Sequence, residues 1–118
     1  MSDLASPRFE PVDLGFSTAD GESPVFHFDG ADLHVRFTDW REQPVGFVAV
    51  NALHFAWSEE LFDPAIRDDT TYEVFESPLV ACFREISLVR LEAPLRHFKF
   101  CFNARGMLDV VCERISVL

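Results

Sequence analysis

Residues His97 to Glu113 alternate apolar and polar positions on both sides of a glycine-containing break. That alternation marks a β-hairpin with one buried face. A three-residue loop at Ala104-Arg105-Gly106, with Gly106 at positive φ, sets Asn103 opposite Met107, Phe102 opposite Leu108, Phe100 opposite Val110 and Phe98 opposite Cys112. The apolar residues then share one face. His97, Lys99, Cys101, Asp109, Val111 and Glu113 share the other, and His97 faces Glu113 as an exposed cross-strand pair. A slip of one residue would carry Asp109 to the buried side, so the pattern fixes which face looks inward.

A second hairpin is written into residues 25–38. Asp29-Gly30 between alternating runs is a strong turn signal. Phe28 belongs opposite Leu33, Phe26 opposite Val35, and His27 opposite His34 on the polar face. Asp39 to Pro44 reads as a turn, with Pro44 opening the next strand. Val45 to Trp57 is apolar at both parities, as expected of a long central strand, or of one bent by a bulge near Asn51. Thr70 to Phe75 reads as another strand. Ser77-Pro78 then starts a helix, Ser as N-cap and Pro at the first helical position. Leu79, Cys82, Phe83 and Ile86 fall on one helical stripe, so Leu79, Phe83 and Ile86 are expected to anchor it to the core.

The expected fold class is α+β. It is mainly antiparallel β-sheet built from hairpins and strands at about 25–38, 45–57, 71–76, 96–103 and 107–117, with one helix at about 78–90 packed on one face. Residues 1–24, rich in Pro and Gly, read as an irregular lead-in with a short extended piece at Phe9–Leu14. Residues 25–118 read as a single domain, in keeping with a length of 118 residues.

Composition sharpens this picture in two ways. Phe occurs 13 times against one Tyr and two Trp. Phe offers large area and no polar handle, which points the aromatic excess inward, to a packed core or an apolar cavity. The net charge is −10, and it is uneven: residues 1–83 hold 16 acidic and 4 basic side chains, residues 84–118 hold 4 and 6. An acidic surface repels phosphate backbones and anionic lipid, which argues against nucleic-acid and membrane partners. The same surface steers in a basic protein. Three cysteines exclude a full disulfide framework. Cys101 and Cys112 fall on opposite hairpin faces and cannot bridge. The start, Met1 to Pro7, lacks the features of a secretion signal, and no apolar run is long enough to span a bilayer, so the expected location is cytoplasmic.

The search for chemistry yields few candidates. The chain has no G-x-S-x-G, no Walker A, no G-x-G-x-x-G, no H-E-x-x-H and no C-x-x-C. No catalytic residue is assigned and no cofactor is called for. His27, His34, Asp29 and Asp32 come together at the first hairpin, where imidazole and carboxylate could hold a divalent ion. Cys101 sits beside Lys99 on the polar face, too far from His97 for a dyad. Residues 59–76 carry seven acids against Arg67 alone. Glu59, Glu60, Asp63, Asp68 and Asp69, with Trp40 in its polar turn, are the candidate partner-binding surface. His54 lies within an apolar strand and reads as a core histidine. The leading expectation is a small acidic binding module, of inhibitor or immunity type, for a basic partner. The alternatives are a carrier of an apolar ligand in a Phe-lined cavity, and a metal-dependent or histidine-based enzyme. An exposed edge strand would also serve a homodimer.

Overall fold

The computed structural model describes residues 7–59, 66–67, 69–86, 94–102 and 106–118. These residues form β1 (Arg8–Pro11), β2 (Glu22–Phe28), β3 (Leu33–Thr38), β4 (Pro44–Val50), β5 (His54–Ser58), β6 (Thr71–Phe75), α1 (Pro78–Glu85), β7 (Arg96–Cys101), β8 (Met107–Cys112) and β9 (Arg114–Val117). The strands make two antiparallel sheets, ordered β1-β6-β7-β8-β5 and β2-β3-β4-β9. The fold is α+β, mostly antiparallel sheet with one helix among the described residues.

The hairpin of β2 and β3 has the register that its alternation dictates: Phe26 opposite Val35, His27 opposite His34, Phe28 opposite Leu33. Gly30, at φ 101°, makes the turn. The β7–β8 hairpin keeps the expected faces, but its pairing is shifted by two residues from the one expected. Phe100 faces Leu108, Phe98 faces Val110, and Cys101 faces Met107. A shift of two preserves side-chain parity, so the hydrophobic pattern alone cannot choose between the two registers. Local packing at the loop does. Phe102 is fully buried, and a Cβ on Gly106 would collide with the Trp57 indole. His97 therefore faces Val111 and not Glu113.

The run from Val45 to Trp57 is not one strand. Asn51, at φ 53°, breaks it, and the chain passes from one sheet to the other between β4 and β5. The C-terminal run breaks in the same way at Glu113: β8 ends at Cys112, and β9 joins the second sheet. The two crossings are neighbours. Glu113 N–H donates to the Val50 carbonyl, and Asn51 Nδ2 donates to Glu113 Oε2. Hence the expectation of one sheet gives way to a two-sheet sandwich.

Between the sheets lies a Phe core. Phe47 stacks on Phe100 at 4.5 Å and on Phe16 at 5.0 Å, and Phe102 meets Phe37 edge-on at 5.1 Å. Each fully buried ring contributes about 1.5–3 kcal/mol. The lead-in supplies more than a tail, since β1 pairs with β6 and Phe16 packs into this core. The helix departs from its expected role. Ser77 caps it, Oγ accepting the Val80 N–H at 3.3 Å, but none of its residues is buried. Leu79 and Phe83 are half-buried and Ile86 is exposed, so α1 rests on the outer face of β7 as a thin cover. Residues 87–90 of the expected helix lie outside the described residues. No helix among the described residues is long and apolar enough to cross a membrane.

Candidate functional site

Strand register collects acidic side chains at one end of the sandwich. Ser58 pairs with Met107, Met107 with Cys101, and Thr71 with Phe100. The segments leading out of β5 and into β6 therefore emerge together. The turn between β3 and β4 joins them, because Gly21 lies against both Phe37 and Phe102. This end carries Asp13, Asp20, Glu22, Glu42, Glu59 and Asp69, with Arg41 and Arg67 as basic neighbours. Trp40 is exposed there, with Arg41 5.7 Å from its ring. Asp39 belongs to the turn itself: its buried carboxylate accepts the N–H groups of Arg41 and Gln43, and these bonds hold its pKa low.

A cleft of about 190 Å³ opens at this end, lined by Asp13, Phe16, Thr18, Asp69 and Thr71 among others. Thr18 is buried, and its Oγ1 has no hydrogen-bond partner among the described residues. Such a group costs free energy until something bonds it. Of the residues expected to bind a partner, the structure brings Trp40, Glu59 and Asp69 to this end. Glu60, Asp63 and Asp68 lie outside the described residues.

The first hairpin gathers Asp29, Asp32 and His34, whose ligand atoms lie within 4.8 Å of one another. His27 stands apart from that group, its ring 6.0 Å from that of His34. The carboxylates are committed to the turn. Asp29 Oδ1 accepts the N–H groups of Ala31 and Asp32, Asp29 Oδ2 bonds His34, and Asp32 Oδ1 accepts the Asn51 N–H. The bonds from Asp32, Ala31 and His34 pull the Asp29 carboxyl far below the ordinary carboxylate range. This is turn architecture, and the exposed acids build it.

The sequence reading missed a buried polar chain under α1. Ser77 Oγ lies 2.8 Å from His97 Nδ1, and His97 Nε2 lies 2.6 Å from Asp109 Oδ1. Lys99 Nζ lies 2.9 Å from the same Asp109 oxygen. Burial pushes the Asp109 carboxyl up, and the bonds from His97 and Lys99 outweigh it, so its pKa sits below 3.8. The signals were present: the Ser-Pro cap, and His97, Lys99 and Asp109 sharing one parity. The two-residue error in register hid them. The trio has the members of a hydrolase relay, and its geometry argues for a clamp instead. The Ser77 hydroxyl is buried and tied to the Val80 N–H, and Asp109 is already neutralised by Lys99.

Beside this chain an open, largely apolar cleft of about 620 Å³ runs between β6 and α1, with Val74, Phe75, Pro78 and Leu95 in its walls and the Arg96–Glu73 ion pair among its lining residues. Of the cysteines, only Cys82 departs from the expected apolar setting. Cys101 and Cys112 are buried, and Cys82 on α1 is exposed. Burial raises the Cys112 thiol to about 12, which removes it as a nucleophile. His54 is half-buried, its ring 5.9 Å from Phe83. No protein-family model, no curated protein and no solved structure matches the chain.

Proposed function

We propose that the protein is an acidic binding module that docks a basic protein partner, as an inhibitor or immunity-type protein does. The observation that carries this reading is the convergence at one end of the sandwich. Six acids, exposed Trp40 and a polar cleft whose Thr18 hydroxyl has no partner among the described residues lie at that end. Long-range attraction steers the partner in, and the exposed indole supplies contact area that charge does not. Affinity capture from the source extract tests it. A basic protein should be retained and released as salt rises. Glu59→Lys and Asp69→Lys should weaken retention, and Arg114→Glu, on β9, should leave it intact. Retention indifferent to salt and to charge reversal at the acidic end would refute the proposal.

A second reading, carriage of an apolar small molecule, rests on the cleft between β6 and α1. Its volume and apolar walls suit such a ligand. Binding of an apolar fluorescent dye that is lost in Ala81→Glu would support it.

A further inference from the structure

Among the described residues the two sheets have four edge strands: β1 and β5 in one, β2 and β9 in the other. An edge presents unpaired backbone groups, and proteins guard such edges with charge, proline, bulges or brevity. Three of the four are guarded here. β1 is four residues long and carries Arg8, Glu10 and Pro11. β2 carries Glu22 and Pro24, and its ladder is irregular between Glu22 and Val25. β9 is four residues long and begins with Arg114. β5, His54-Phe55-Ala56-Trp57-Ser58, has no Asp, Glu, Lys, Arg or Pro, and its pairing with β8 runs without a register shift.

The surroundings of β5 are apolar in the middle and acidic at both ends. Phe55 is 40 % exposed and meets Phe28, 43 % exposed, with ring centroids 5.4 Å apart. Leu53, also exposed, precedes the strand. Exposed Glu59 follows it, and Asp29 and Asp32 lie in the turn that follows Phe28. A strand laid along β5 would cross from one acidic end to the other over two aromatic rings. Self-pairing suits this edge poorly. An antiparallel second copy would set Glu59 of one chain against the Asp29 and Asp32 end of the other, and a parallel copy would set Glu59 against Glu59.

We propose that β5 is the docking strand of this protein, and that it takes an extended partner segment with alternating apolar side chains and a basic residue at each end. The main chain of the segment continues the five-stranded sheet, and its apolar side chains cover Phe28 and Phe55. The inference rests on the reading of a basic partner and adds where and in what conformation that partner binds.

A short synthetic peptide of alternating Val and Thr with two lysines at each end is the probe, titrated into the full chain by calorimetry and amide NMR. Amide shifts should concentrate in residues 54–58, and affinity should fall with salt. The same peptide with glutamates at its ends should not bind. Phe55→Ser removes an exposed ring without opening the core, and Phe55→Pro also removes a backbone N–H that faces the open edge and not β8; each should weaken binding at least about tenfold, with the amide spectrum of the free protein reporting that the fold is kept. Binding of the basic peptide that both variants leave unchanged overturns the edge proposal while the acidic-end reading stands. Failure of both the peptide and any basic protein to bind overturns the two together. Concentration-dependent dimers abolished by Phe55→Pro would assign the edge to a second copy and also overturn the proposal.

Discussion

The molecule contains two histidine–aspartate pairs built from the same residue types, and they differ in almost everything else. His34 and Asp29 meet at 3.0 Å with side chains 39 % and 41 % exposed. His97 and Asp109 meet at 2.6 Å with side chains 5 % and 16 % exposed. Water competes for the first pair, which serves to close a turn that backbone hydrogen bonds already close. At the second pair water is excluded, and each member is the other's replacement for solvent. Removing His97 leaves Asp109 to Lys99 alone. The pair also joins the cap of α1, through Ser77, to the middle of β7 and β8. Chemical identity predicts little about such pairs, and burial decides what each is worth.

The comparison can be broken most directly at His97. His97→Ala leaves Asp109 with Lys99 as its remaining side-chain partner and Ser77 without its contact to Nδ1, and should cost about 2–3 kcal/mol in urea denaturation. Ser77→Ala removes both the helix cap and the contact to Nδ1, and should cost about 1–2 kcal/mol in the same assay. Acid sharpens the contrast further. The Asp109 pKa is lowered on folding, so its contribution to stability is complete above the ordinary value of 3.8 and is lost as pH falls through the lower folded value. The urea midpoint should therefore fall from about pH 4 downward, and Asp109→Asn should flatten that limb of the profile. The smallest effect belongs to the exposed pair. His34→Ala should leave the denaturation midpoint unchanged within measurement, because the turn keeps its Gly30 and its backbone bonds.

Much of the fold was legible because alternation reports faces. The β2–β3 hairpin could be written down residue for residue, since Asp29-Gly30 fixes both loop length and register. The β7–β8 hairpin could be written only to within an even number of residues. Parity survives a shift of two, and the contact that decides the matter, Gly106 against Trp57, joins strands far apart in sequence. The break at Asn51 was visible only as a polar residue in an apolar run. Of the expected helix stripe, Leu79 and Phe83 are half-buried while Cys82 and Ile86 are exposed, because periodicity shows which residues are apolar and not how the helix is rolled or how deeply it sinks. The acidic end was partly legible from residues 59–76, but which strand ends share that end of the sandwich is set by register, which local pattern does not contain. His97 was legible as polar-face and illegible as buried, since nothing near it in sequence announces that α1 will cross over it.

The paired crossings at Asn51 and Glu113 carry a consequence for how the molecule comes into being. β4 finds its outer neighbour only in β9, and the central strands of the other sheet, β7 and β8, also come from the last quarter of the chain. Until those residues leave the ribosome, the phenylalanines of β3 and β4 have no opposite wall. The nascent chain must therefore carry that aromatic surface exposed until β7, β8 and β9 have emerged.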